Sequence, residues 1–279
     1  MNGLINWSEL YKRTAGRKPP KDDSVDLAEV WGRSADMYDR MAKMEKPYTQ
    51  MQIDRILAGP EDSVMDIGCG PGRLTVPLAQ KAGRVTALDL APRMLEYCEK
   101  NVRAAGLDNV TIKEMDWETA QLGKDFEKHD VVVVSRTVAL NDLIRLNQTA
   151  NKYVFLLSFA QMPSLKIIRD DLFRGIEEGL MQPREDRMFG YNLTFNMLYD
   201  LGINPNVNVI TDGFTKDFES REAAYDDLRL LGEVPPEKMD IFRRNVDPWL
   251  KENPQGGVTF RRETKTYIIW WEPVELEGK

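Results

Sequence analysis

The residues with the most chemical content lie between Val64 and Leu74, and again at Asp89. Asp66-x-Gly68-x-Gly70-x-Gly72 follows a short apolar run and precedes an amphipathic one. Alternating glycines between a buried strand and a helix let the main chain approach a ligand where a side chain would collide. A tight strand-to-helix turn with no ligand is the plainer alternative. Asp89 follows Gly72 by seventeen residues and ends the next apolar run. An acidic residue at that spacing sits at the carboxyl edge of the neighbouring strand, where it can accept hydrogen bonds from both ribose hydroxyls of a nucleoside ligand. A cap ahead of Pro92 is its plainer role. The two features together say more than either.

Such residues need a sheet beneath them. Ser63–Ile67, Arg84–Leu88, Asn109–Lys113, Asp130–Val134 and Lys152–Phe159 read as strands. Leu74–Lys81, the segment from Pro92 to Gly106, and Ala139–Asn147 read as the helices between them. Strands alternating with helices of this length predict βαβ units and a parallel sheet. The branched run Val131–Val134 suits a central strand buried on both faces. Upstream, one helix is expected from a cap at Asp22–Ser24 to about Met44, and a second over Tyr48–Leu57; both stand ready to cover a ligand mouth. Past residue 160, helices are expected at Lys166–Glu178, Tyr191–Leu201, Glu219–Leu231 and Pro236–Glu252, with a strand at Val207–Thr211. Val258–Arg262 and Lys265–Trp271 read as strands that pair around Arg262–Thr264. The helical excursion before them is the expected cap over a substrate.

Composition narrows the function classes. Thirty-eight basic against forty-five acidic residues leave a net charge of −7, which argues against nucleic acid as the main partner. A basic run at Lys12, Arg13, Arg17, Lys18 and Lys21 reads as a solvated arm. No apolar run is long enough to span a membrane, and no signal pattern opens the sequence, so a cytoplasmic location is expected. Cys69 and Cys98 have no disulfide or metal spacing. His129 is the sole histidine and, just ahead of the fourth strand's Asp130, reads as a surface residue, so His-based metal sites and hydrolytic triads are poorly supported, and no metal is expected. Asp170–Asp171 reads as a solvated helix face.

Asp66-x-Gly68-x-Gly70-x-Gly72 with Ala87-Leu88-Asp89-Leu90-Ala91-Pro92-Arg93-Met94-Leu95 resembles motifs I and II of the class I S-adenosylmethionine-dependent methyltransferases. Ala91 stands where the small-molecule branch usually has serine. Asp116–Trp117 resembles the acid and its neighbour after the third strand, and Val131–Ser135 with Arg136 the fourth strand and its active-site edge. Trp31…Ala35-Asp36-x-Tyr38-Asp39 is similar to a weaker upstream pattern whose aromatic covers the cofactor. The resemblance spans about residues 60–160. It implies an α/β fold, Rossmann-like, with a seven-stranded mostly parallel sheet, helices on both faces, an N-terminal helical cover and a late helical cap insertion. The implied partition is 1–60 as cover, 61–214 with 256–279 as core, and 215–255 as cap.

The implied cofactor is S-adenosylmethionine, bound by Tyr38, Asp66, Gly68, Cys69, Gly70, Asp89, Leu90, Met94, Asp116, Trp117 and Ser135. Asp89 would take the ribose, Asp116 the adenine amino group and Trp117 the ring. A turn residue and core packing are the plainer roles for Asp116 and Trp117. Asp66 would order the loop or reach the cofactor ammonium through water. Arg136 reads equally as a ligand for a cofactor or substrate carboxylate and as a structural ion pair. No catalytic acid or base is assigned, and the oligomeric state is left open. The implied activity is methyl transfer to a small-molecule acceptor by in-line displacement. The alternatives are an RNA or protein methyltransferase and a non-catalytic nucleoside-binding protein; a dinucleotide enzyme is disfavoured because the spacing is G-x-G-x-G, not G-x-G-x-x-G. Phe159, Met162, Phe189, Tyr191, Phe195, Trp249, Trp270 and Trp271 are the aromatic and methionine candidates for a substrate pocket, most of them expected in the core.

Overall fold

The structure, a computed structural model, describes residues 5–7, 9–10, 25–161, 163–180 and 191–276. The basic run at 12–21, the cap at Asp22–Ser24, and Met162 and Phe189 lie outside those residues. The strands are β1 (Ser63–Ile67), β2 (Arg84–Asp89), β3 (Val110–Glu114), β4 (His129–Ser135), β5 (Ala150–Gln161), β6 (Asn206–Phe218), β7 (Leu250–Glu252) and β8 (Val258–Trp271). They form one sheet in the order β3-β2-β1-β4-β5-β8-β6, with β7 paired to β8 off that path. The first five run parallel, and β8 joins β5 and β6 antiparallel.

Burial on both faces explains the branched strands. Val132 and Val134 pack in one cluster with Met65, Ile67, Leu143 and Leu146, while Val131 and Val133 pack in another with Val64, Leu74 and Leu78. Alternate side chains of one strand thus feed two cores, as the period of two requires.

The helices are α1 (Leu27–Arg33), α2 (Ala35–Ile53), α3 (Thr75–Ala79), α4 (Pro92–Ala104), α5 (Leu143–Thr149), α6 (Leu165–Leu172), α7 (Tyr191–Asp200), α8 (Arg221–Leu228) and α9 (Met239–Val246). The two expected N-terminal helices divide elsewhere: α2 runs straight through Pro47. A proline inside a helix forfeits one main-chain hydrogen bond. Here buried side chains on both sides of it, Met41, Met44, Gln52 and Ile53, hold the helix together. Asp26 caps α1 by accepting from the amides of Ala28 and Glu29. α3, α5 and α6 are shorter than expected, and a 3-10 turn at Val138–Asn141 precedes α5.

The late strands differ most from expectation. β6 does not stop at Thr211, and β8 is unbroken; the two pair continuously from Asn206–Trp270 to Phe218–Val258. No hairpin forms at Arg262–Thr264. Asp212, Arg262 and Thr264 are polar yet buried, so hydropathy alone breaks the pattern where the strands continue. Pro248 ends the last helix early and leaves Leu250–Glu252 extended as β7, which brings the sheet to eight strands rather than seven. The outer half of the β6–β8 pair carries a separate core, in which Phe214 and Phe260 meet Met41, Met44, Ile168, Leu228 and Phe242. Through it α6, α8 and α9 buttress α2.

Candidate active site

A cavity of about 510 Å³ opens at the carboxyl ends of the parallel strands. It straddles the point between β1 and β4 where the strand order reverses, which is where open α/β sheets bind ligands. Trp31, Tyr38, Ala42 and Glu45 from α1 and α2 form its cover. Asn101 fastens that cover to the glycine turn by donating to Asp39 Oδ1 (2.8 Å) and to the Pro71 carbonyl (2.9 Å).

One wall is acidic and held largely by main-chain amides. The amides of Gly68 and Cys69 both donate to the Leu88 carbonyl at 2.8 Å, which pins the turn to β2. Gly68 has φ +70°, and a Cβ there would stand 2.7 Å from Thr137 Cβ. Gly70 has φ +53° and faces open space. Asp89 Oδ2 accepts from the Gly70 amide and Oδ1 from the Ala91 amide, both at 2.9 Å. It therefore fixes the residue that leads into α4 and braces the glycine turn at once. Burial raises its pKa against the pull of those amides. Asp66 is fully buried, accepts from Thr75 Oγ1 at 2.6 Å, and is pushed up to about 6 by burial, with Thr75 and the charge of Arg73 opposing the shift. Asp116 is exposed at the cavity edge, where its Oδ1 accepts from the Glu118 amide at 2.9 Å. Trp117 packs beside Phe126 under the Arg145 guanidinium, 3.9 Å from the ring centroid, and its buried Nε1 lacks a partner.

The other wall is assembled from distant segments. Glu45, only 1% exposed, binds both ends of the Arg136 fork at 2.9 and 2.6 Å. Arg73 lies 3.4 Å from the same carboxylate, donates to Gln52 Oε1 at 2.6 Å and to Ser135 Oγ at 2.7 Å. Gln52 in turn donates to Asp212 Oδ2 on β6 at 2.8 Å, and Arg136 reaches Thr266 on β8 at 3.3 Å. Burial works against the charge on Glu45, but the two guanidiniums overcome it and hold its pKa below the ordinary carboxylate range. Burial raises Asp212, whose Oδ1 has no partner. Arg136 has φ +56° and stacks on Phe159 at 3.9 Å. Among the described residues it is the one non-glycine with a positive φ.

All eleven residues singled out from the sequence, from Tyr38 to Ser135, line this cavity; Cys69, Leu90 and Met94 fill the space around the acidic wall. Arg136 proves to be an ion-pair member that also lines the cavity. His129 is not at the surface as expected: it is buried at the start of β4, within hydrogen-bond distance of Thr86 Oγ1 and the Glu127 carbonyl, and burial lowers its pKa. Nor are Asp170 and Asp171 a solvated face. Asp170 is buried against Lys166 and Arg169, and Asp171 takes Arg174 and Arg262. Among the described residues no His, Cys, Asp and Glu cluster is arranged to hold a metal, and no helix is long and apolar enough to cross a membrane.

Of the described pocket candidates, Phe159 lines the cavity. Trp271 lies in the core, Trp270 stacks on Phe155, Trp249 sits under Arg262, and Tyr191 meets Tyr267. No residue between 215 and 255 lines the cavity. Sequence reasoning missed Glu45, Gln52, Arg73 and Asp212. A signal existed for the first two: Glu45, Thr49 and Gln52 share one face of α2 with Met41 and Met44, so three polar side chains interrupt its apolar stripe.

The fold and cavity define an open α/β protein with a covered cavity at the switch point. Residues 64–153 match the family model described as a methyltransferase domain. The chain thus carries, over residues 64–153, a methyltransferase domain, for which the sequence motifs imply S-adenosylmethionine as the cofactor. It is 29% identical over 279 residues, 96% of either chain, to an uncharacterised protein of Haemophilus influenzae. It is 31% identical over 116 residues to the aklanonic acid methyltransferase of a Streptomyces species, a match that covers 40% of this chain and 52% of that one. The crystal structure of the YcgJ protein of Bacillus subtilis shares the fold at a TM-score of 0.51 and 13% identity, over 81% of this chain and 98% of that one.

The residues present fit that cofactor. A bare backbone at Gly70 faces open space, carboxylates stand at the ends of β1, β2 and after β3, and an unpaired indole donor lies beside them. Three carboxylates along one wall suit a ligand with a cationic end and ribose hydroxyls.

Proposed function

We propose that the chain transfers a methyl group to a small-molecule acceptor by in-line displacement, with the cofactor lying along the acidic wall. The observation that carries this reading is the succession of Asp116, Asp89 and the glycine turn across β3, β2 and β1 in one covered cavity. In that arrangement Asp116 meets the adenine, Trp117 the ring, Asp89 the ribose, and Gly68, Cys69 and Gly70 the chain beyond it. Leu90 and Met94 supply apolar contact, Ser135 borders the reacting end, and Tyr38 closes the site from above. Asp66 orders the turn through Thr75. Bound S-adenosylmethionine supplies an electrophilic sulfonium methyl group. This chain's residues align the acceptor with it and exclude water, which for such a leaving group carries much of the rate.

A small acceptor fits a cavity of this size, which falls in the range of small-molecule pockets (roughly 300–1,000 Å³). The acidic net charge of −7 disfavours nucleic acid, and the Streptomyces relative is by name a methyltransferase of an organic acid. We read 1–60 as cover, 61–214 with 256–279 as catalytic core, and 215–255 as a helical insertion that buttresses the cover, in a cytoplasmic protein. Isothermal titration should show S-adenosylhomocysteine binding to the wild type, and incubation of a metabolite extract with methyl-labelled cofactor should label a low-molecular-weight product. Binding without any labelled small molecule, but with labelled RNA or protein, would refute the acceptor class.

A further inference from the structure

The acceptor side of the cavity carries a charge pattern of its own, whose meaning rests on the methyl-transfer reading. The lining carboxylates Asp66, Asp89 and Asp116 belong to β1, β2 and the segment after β3, whereas the lining cations Arg73, Arg136 and Lys166 follow the glycine turn, follow β4 and open α6; on that side the one lining carboxylate, Glu45, is shared between Arg73 and Arg136. Adjacent strands stand about 4.8 Å apart, so the ends of β2 and β5 are separated by roughly 14 Å along the sheet edge. A cofactor that lies from β3 toward β1 presents its reacting end to the cationic side. We propose that the acceptor is a small organic carboxylate, seated at the β4–β5 edge by Arg136 and Lys166 with its apolar body against Phe159.

Three observations favour Arg136 as a recognition residue over a purely structural one. Its backbone holds a conformation that side-chain-bearing residues rarely adopt, and such strain tends to persist where the direction of a side chain matters. Its guanidinium is fixed on two sides, by Phe159 at 3.9 Å and by the Glu45 carboxylate. A guanidinium has five N–H groups; Glu45 takes two, Thr266 one at 3.3 Å, and Nε has no partner. The pairing with Glu45 thus orients the fork without exhausting it. Lys166 gives one donor to Asp170 Oδ2 at 2.6 Å and is half exposed at the cavity rim. Ser158 and Ser164 also line the cavity.

The test uses the full chain saturated with S-adenosylhomocysteine and titrates matched probes: benzoate and phenylacetate against benzamide and phenylacetamide. The expected result is carboxylate binding about tenfold tighter than that of the amides, as a charge-assisted bond to a fixed guanidinium gives. That preference should collapse toward parity in the double variant Glu45→Gln/Arg136→Gln, which removes the Arg136–Glu45 pair together and leaves Arg73 its bonds to Gln52 and Ser135. It should shrink in Lys166→Gln, the variant that decides the matter if the double variant does not fold. Equal binding of acids and amides, binding of neither, or a loss of S-adenosylhomocysteine affinity as large as the loss of carboxylate affinity would each overturn the assignment. A wild type that fails to bind S-adenosylhomocysteine at all would instead refute the reading beneath it.

Discussion

The two walls of the cavity are built by opposite means. On the acidic wall, Asp89 is fixed by amides of Gly70 and Ala91, and Asp116 by the amide of Glu118, so each carboxylate is held by main-chain amides of its own turn or of the turn on the adjacent strand. On the cationic wall, Arg73 and Arg136 are fixed by Glu45 and Gln52 of α2, with Thr266 of β8 and, through Gln52, Asp212 of β6 behind them. A wall held by its own backbone is in place once the parallel sheet forms. A wall held by long-range side chains exists only when the cover helix and the antiparallel strands have docked. Loss of a single partner should therefore be felt differently on the two sides.

The largest effect is expected from Glu45→Ala. It leaves two guanidiniums in a buried site without their carboxylate, and breaking such a pair costs on the order of 3–5 kcal/mol. Urea unfolding should show that loss, and removal of Glu45 together with Arg136 should recover part of it; a change below about 1 kcal/mol in the single variant would mean the pair is no more than a surface bridge. On the acidic wall, Asp89→Ala should barely move stability yet weaken S-adenosylhomocysteine binding by roughly 10- to 100-fold, the worth of charged hydrogen bonds to ribose. Titration calorimetry checks this, and unchanged affinity would reduce Asp89 to a helix cap.

That contrast also marks how much was legible beforehand. The glycine turn, Asp89 and Asp116 are separated in the chain by complete βα units, and each signals itself through its own neighbours, so pattern and spacing were enough to place them. Glu45, Gln52 and Asp212 acquire their roles from partners tens to more than a hundred residues away, which no local window contains. Arg262 and Thr264 hid a strand for the same reason: they find partners outside it, in Asp171 and the Pro163 carbonyl. Pro47, a helix breaker by local rule, is overridden by the burial of both halves of α2. Local chemistry marks one side of the site. Tertiary chemistry decides the other.

A smaller effect concerns pH. Asp66 has a pKa of about 6 in the folded, unliganded chain against an ordinary value of 3.8. Between those values the native state holds more protons than the unfolded one, so stability falls as pH rises through about 4 to 6 and its contribution levels off above. Asp66→Asn should flatten that part of a Tm-against-pH profile, since the amide oxygen still accepts from Thr75. A profile identical to the wild type would show that Asp66 ionises normally. The smallest effect is expected from Ser135→Ala, which removes one of several bonds to Arg73; about 1 kcal/mol of stability at most should be lost, and a greater loss would mean that Ser135 rather than Glu45 anchors that wall.

The orientation of the cofactor across the two walls matters most, and a crystal structure with S-adenosylhomocysteine tests it directly. The adenine should lie by Asp116 and Trp117, both ribose hydroxyls on Asp89, and the sulfur toward Ser135 and Arg136. A nucleoside bound with its adenine against Arg136 and Phe159, or one that leaves Asp89 bonded only to Gly70 and Ala91, would contradict it.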